Sequence, residues 1–416
     1  MVRPVDDGPT PRQRRFANDI MQRPQVARPR PHGARWLLLL LGSLSLVGCH
    51  RRVASHGHHR RHGHSGLTLP SPAVEVDAEK LKPFSALPAS FASKDGVATP
   101  EMVALGRQLY SETRLSKDAK TSCNHCHDLD RYGVDGEDSS PTNGPVRERN
   151  TPSVLDAALE FAEFWDGRAD TIEAATEEEM SDPSALGWPT SSRFAPAVKA
   201  LPAYAASFGT AFPDQPNPIS IENAARAVSA FERTLLTPSP WDRFVAGEKT
   251  ALSDAEKRGF LDFVSVGCST CHVGPLVGGT MYQKLGKENP WPNQRDQGRA
   301  EVTKVPADAL FFKVAPLRNV EKTAPYFHDA SAKTLPEAVK SMAHFQLNKE
   351  LGTEQLSSIV AFLGSLTGSV PGADSSKTRD ATVAPSPSAI PDASDSAGTP
   401  SAPRAPSASA TGHATP

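Results

Sequence analysis

Two short runs of this 416-residue chain carry chemistry in their spacing. Cys123-Asn124-His125-Cys126-His127 and Cys268-Ser269-Thr270-Cys271-His272 share the pattern Cys-x-x-Cys-His. That pattern attaches haem c. Two thiols at this separation reach two vinyl groups of one porphyrin, and the next histidine puts an imidazole nitrogen on the iron. Zinc sites also use Cys-x-x-Cys pairs, but zinc does not explain a histidine directly after both. A redox-active Cys-x-x-Cys needs no histidine and sits in a βαβ context absent from this sequence. His127 and His272 are therefore the expected proximal iron ligands, and His125 is expected to point away. The motifs lie 145 residues apart, which implies one haem in each of two domains.

The fifth cysteine is Cys49. It follows the apolar run 36–48, which comes after an arginine-rich stretch and is too short to span a bilayer, as in a signal peptide. Leu46-Val47-Gly48-Cys49 resembles the lipobox of bacterial lipoproteins, whose cysteine is lipidated and becomes the first residue. The alternative is an ordinary cleaved signal. Met21 is a second candidate start, and Arg14-Arg15 lies too far from the apolar run for a twin-arginine signal. A lipoprotein signal peptide over 1–48 predicts a periplasmic protein tethered to a membrane by lipid, the outer membrane being the expected one. Haem c attachment, which occurs outside the cytoplasm, agrees with export.

The elements that position these residues must be helical. Thr99-Pro100-Glu101 opens one helix with Met102, Leu105 and Leu109 on one face. Ile221–Leu236 carries Ala224, Ala225, Val228, Phe231 and Leu235 at helical spacing. Ser253–Glu256 and Thr334–Glu337 are capping boxes. Thr353 is a candidate cap for a last helix carrying Leu356, Ile359, Val360 and Leu363. Strand patterns are scarce. The expected fold is mainly α, with two cytochrome c-like domains, one haem c each, long loops and disordered termini. The 38 prolines and 38% apolar content place part of the chain outside any core. The expected organisation is a signal peptide at 1–48 and a His-rich linker at 49–74. An N-terminal haem domain then covers 75–236, a C-terminal haem domain 237–369, and a Pro/Ala/Ser tail 370–416. The boundary falls at Thr237-Pro238-Ser239-Pro240. The histidines at 50–66 read as a solvated spacer rather than a metal site, since glycines and arginines leave no fixed ligand geometry. The formal charge of −2 excludes a strongly basic nucleic-acid binder.

Further runs resemble the bacterial di-haem cytochrome c peroxidases. They are Leu105–Tyr110, Arg114-Leu115-Ser116, Asn150-Thr151-Pro152, Phe164–Ala169, Phe312-Lys313-Val314, Leu317–Val320 and Thr323–Asp329, all in the family's order. The resemblance spans about residues 99–369. It implies that Met342 is the second axial ligand of the second haem, the alternative being a core methionine. Met/His ligation raises the potential, so that haem would take electrons from a donor. It implies Ca²⁺ between the domains, held by Asn150, Thr323 and Pro325, since such oxygens suit a hard cation. Trp165 matches a tryptophan between the haems, with plain packing as the other reading. A homodimer is compatible with the resemblance, because dimers are common in that family.

The resemblance fails at the chemistry. Family members reduce H₂O₂ at the first haem with a distal glutamate, helped by a glutamine. An ungapped match puts Ala175 and Ala185 there. A shifted match instead places Glu179-Met180 on the family's Glu-Met pair, and Glu177 and Glu178 lie beside it. Glu179 is the candidate substitute. The region that carries a distal histidine in many members is here Ser140–Pro145, without one. Tyr132 is near enough in sequence to approach the iron, although a loop tyrosine is more often structural.

The leading expectation is a peroxidase fed by a small cytochrome c or a cupredoxin, with Trp165 as relay. The second is a di-haem electron carrier that lost peroxide chemistry. A third is a protein-modifying oxidase like the methylamine-utilisation relatives. It ranks last, because those have tyrosine where this chain has Met342.

Overall fold

The computed structural model describes residues 73–90, 98–137 and 149–371. The signal peptide, Cys49, the His-rich tract, Ser140–Pro145 and the tail from 372 lie outside the described residues. Helices dominate: α1 Pro100–Tyr110, α2 Ile172–Ser181, α3 Ser191–Lys199, α4 Pro202–Ala211, α5 Ile221–Glu232, α6 Pro240–Val245, α7 Asp254–Val266, α8 Leu335–Leu347 and α9 Thr353–Gly364. None among the described residues is long and apolar enough to cross a membrane.

Local chemistry sets the ends. The Thr99 side chain accepts from Met102 N–H, and Pro100 follows where its missing N–H costs nothing. Both capping boxes form, at Ser253/Glu256 and Thr334/Glu337. Gly267, with φ 108°, closes α7 in the left-handed region. Two expectations shift. The stripe read to Leu236 is helical only to Glu232, and α9 is capped by Gly352, with Thr353 its first residue.

Each Cys-x-x-Cys-His motif follows a helix that crosses another at a glycine. In α1, a Cβ on Gly106 would lie 1.8 Å from the Ala227 carbonyl oxygen of α5. In α7, a Cβ on Gly259 would lie 1.8 Å from the Ser358 carbonyl oxygen of α9. Only hydrogen in place of a side chain permits either crossing. Around the first, Leu105, Tyr110, Phe194, Phe208, Phe231 and Leu235 form one apolar cluster. Around the second, Trp241, Phe260, Phe263, Phe362 and Leu366 form another. Trp241 meets Phe260 and Phe362 at ring-centroid distances of 5.0 and 5.2 Å.

Two details depart from the expected division. The segment before α1 packs into the second cluster through Phe84, although the boundary at 75 assigned it to the first domain. Pro83 O accepts from Gly274 N–H at 2.9 Å, and Leu87 N–H donates to Asp242 at 2.7 Å. The proline-rich boundary is no loose linker. Thr237 is fully buried, its N–H donates to Asp156 at 2.8 Å, and Asn319 donates to its hydroxyl at 2.8 Å. One antiparallel strand pair, β1 Tyr282–Lys284 with β2 Phe311–Lys313, sets Tyr282 opposite Lys313. It presents Gln283 and Lys313 to the cleft of the second motif.

Candidate functional site

The first motif forms a single helical turn, Cys123–Cys126, and His127 N–H donates to Cys123 O at 2.9 Å. The His127 Nδ1 faces two carbonyls, Pro152 O at 3.0 Å and Gly133 O at 3.3 Å. A carbonyl only accepts, so Nδ1 carries the proton and Nε2 keeps a lone pair for a metal. Tyr110 fixes the backbone here by donating to His127 O at 2.5 Å. His125 is exposed, as expected.

The second motif repeats the device. His272 N–H donates to Cys268 O at 3.0 Å, and its Nδ1 meets Val277 O at 3.2 Å. Burial pulls His272 down to about 4, which keeps the ring neutral as a ligand must be. Met342 of α8 lines the same cavity as Cys268, Cys271 and His272. So does buried His328, whose ring stacks on Phe312 at 4.3 Å and whose Nε2 has no hydrogen-bond partner.

Both cavities suit haem c. Each offers two thiols and one imidazole with its tautomer set for ligation, and the His272 cavity adds a largely apolar wall. The orphaned His328 Nε2 is a buried polar group that a carboxylate-bearing cofactor would satisfy.

Trp165 and Asn150 line both cavities. The indole Nε1 donates to Asn150 O at 2.8 Å, and Trp165 O accepts from Lys313 N–H at 2.8 Å. Asn150 Nδ2 donates to Pro325 O at 2.7 Å, so these two expected calcium residues meet directly. Thr323 lines the second cavity nearby.

The carboxylates sort by exposure. Glu177 and Glu178 are exposed, and Glu178 pairs with Arg168 at 2.6 Å. Glu179, one helical turn after Ala175 on α2, is half-buried and lines the His127 cavity together with Ala175 and Ala185. Tyr132 does not line it; its hydroxyl donates to Gly368 O at 3.4 Å, which is a structural role.

Two buried carboxyls in that wall escaped the sequence reading, Glu163 and Glu232. Burial raises both to about 8, with Glu160 and Glu173 respectively as the next cause. Glu232 had a signal: it sits four residues after Val228 on the apolar stripe of α5, where a charge is anomalous. Glu163 had none. Beside it, Glu160 and Lys313 form a buried ion pair, with Lys313 Nζ also donating to Ala162 O at 2.8 Å.

Residues 100–250 match the family model for di-haem cytochrome c peroxidase. Cytochrome c551 peroxidase of Nitrosomonas europaea is 37% identical over 315 residues, covering 74% of this chain and 89% of that protein. The Pseudomonas aeruginosa cytochrome c551 peroxidase is 35% identical over 315 residues, covering 73% and 91%. Among solved structures, a MauG-like protein associated with microbial copper homeostasis superposes with a TM-score of 0.60 at 25% identity, covering 71% of this chain and 95% of that one.

Proposed function

The chain belongs to the di-haem cytochrome c peroxidase family, a peroxidase-type di-haem oxidoreductase, and from that footing we propose that it reduces H₂O₂ with electrons from a small cytochrome c or cupredoxin. The observation that carries this is the pairing of unlike cavities. One combines His272 with Met342, the other combines His127 with carboxyl groups.

Haem c held at these residues would supply one-electron redox chemistry and, in the His127 cavity, the means to cleave the peroxide O–O bond. Cys123, Cys126 and His127 hold one haem, in the N-terminal domain. Cys268, Cys271 and His272 hold the other, in the C-terminal domain. Met342 supplies a thioether that favours the reduced state there. Trp165, in the wall of both cavities, is the proposed electron relay, held by its bond to Asn150 O. Glu179 is the proposed acid–base group that moves a proton between the two peroxide oxygens. Asn150, Thr323 and Pro325 offer Ca²⁺ a neutral oxygen set. Lipidation at Cys49 would hold the protein at the periplasmic face of a membrane.

The test is oxidation of a reduced cytochrome or dye by H₂O₂ with purified holoprotein. Peroxide-dependent oxidation is expected, and its absence sinks the proposal. Ala175 and Ala185, both in the cavity wall, favour one competing reading, an electron carrier without peroxide chemistry. A first haem whose Soret band does not move on adding peroxide would support the carrier.

A further inference from the structure

Peroxide reduction consumes two protons, and the alanines at 175 and 185 can hold neither. The same cavity wall contains Glu232, the last residue of α5, only 9% exposed. Burial is the first influence on its carboxyl, and the charges of Glu173, Arg233 and Glu179 follow. A buried carboxyl that lines the same cavity as a second, half-buried carboxyl, Glu179, has the form of a proton store.

We propose that Glu232 holds a proton that peroxide reduction consumes in the His127 cavity and passes it on by way of Glu179. This rests on the functional reading above and adds the proton's source. Glu232 acts through Glu179 and is a positioning residue in that sense.

The surroundings favour the neutral acid. From α2, Glu173 and Glu179 oppose ionisation of Glu232. On its own helix Arg233 favours ionisation, but that guanidinium is held by Glu173 at 2.5 Å. Glu163 is a further buried acid, raised first by burial and then by Glu160, with a smaller contribution from Glu232. Tyr110 of α1 also feels Glu232 and stays neutral, since burial raises it. The carboxyl is accordingly pushed up to about 8 and carries its proton at neutral pH.

The step balances. H₂O₂ takes two electrons from the reduced donor, the O–O bond breaks, and two protons complete two waters. Glu179 accepts the Glu232 proton through cavity water and delivers it to a peroxide oxygen. Glu179 lies at the half-buried rim, so the second proton and the recharging of Glu232 both come from solvent through it.

The experiment is infrared difference spectroscopy of oxidised holoprotein across pH, which needs no turnover, followed by the pH profile of peroxide reduction. Because Glu163 is also raised to about 8, the spectra are taken in a Glu163→Gln background, where a protonated-carboxyl stretch is expected to disappear with a midpoint near 8. Glu232→Gln should lack it, Glu179→Gln should move its midpoint downward, and Glu232→Asp should restore a band. Turnover should fall off on the alkaline side near that midpoint. Glu232→Gln should be slower by about 10²-fold at neutral pH and lose that limb. A band that persists in Glu232→Gln overturns the assignment. An alkaline limb unchanged in Glu232→Gln overturns the proton-supply role alone. A wild-type protein that shows the band but no peroxide turnover overturns the functional reading, and the use of this proton with it.

Discussion

Replacing Gly259 by alanine sets two effects of opposite sign against each other. Helix propensity favours alanine over glycine by about 1 kcal/mol in an exposed helix interior, so propensity alone predicts a more stable protein. Packing predicts the reverse. The new methyl would sit 1.8 Å from Ser358 O and 2.8 Å from the Phe362 Cβ. A relaxed carbon–oxygen contact needs a little over 3 Å, so α7 and α9 must part by more than about 1 Å. Both close neighbours belong to fixed positions on α9, which no rotamer change relieves. Parting the helices opens the Trp241, Phe260, Phe263 and Phe362 contacts. Overpacking costs about 1–3 kcal/mol or more, and a backbone clash belongs at the upper end, so a net loss of about 2 kcal/mol is expected. Denaturant unfolding of the holoprotein measures it. Gly209→Ala is the control, because that helical glycine is exposed with nothing within 4 Å of the new Cβ. It should gain up to about 1 kcal/mol. A Gly259→Ala protein as stable as wild type would refute the close-crossing argument.

Lys313→Met should cost about 3–5 kcal/mol by leaving Glu160 buried and unpaired, and adding Glu160→Gln should recover most of it in a double-mutant cycle. Glu163 and Glu232 ionise near 8 in the native protein but near the ordinary carboxylate value, about 4.3, when unfolded. The native state then binds more protons between those values, so stability should fall as pH rises from about 5 to about 8, and Glu163→Gln should flatten that slope in unfolding curves. Met342→Ala should lower the potential of the higher-potential haem in a spectroelectrochemical titration; an unchanged potential would place the ligand elsewhere.

Much of the fold was legible because its signals are local. The two capping boxes, the Thr99-Pro100 start and the α5 stripe involve residues within one or two turns. What escaped depends on distant neighbours. Helices α3 and α4 carry Pro196 and Pro202, which blur the helical pattern. Strands of three residues are too short to alternate visibly. The haem cysteines and histidines were legible from spacing alone. Trp165 and Met342 were singled out only through family resemblance, since either residue type is ordinary in a core; the structure places both in cavity walls. Of three consecutive glutamates, the helical phase of Glu179 relative to Ala175 decides which faces the cavity, and that requires knowing where the cavity lies.

The most direct measurement is steady-state oxidation of a reduced small cytochrome by H₂O₂, using purified holoprotein with both motifs loaded. The account predicts two donor equivalents oxidised per peroxide, with the rate cut about 10²-fold or more in Glu179→Gln while both haems stay attached. No peroxide-dependent oxidation by the wild-type holoprotein, or full activity in Glu179→Gln, would contradict it.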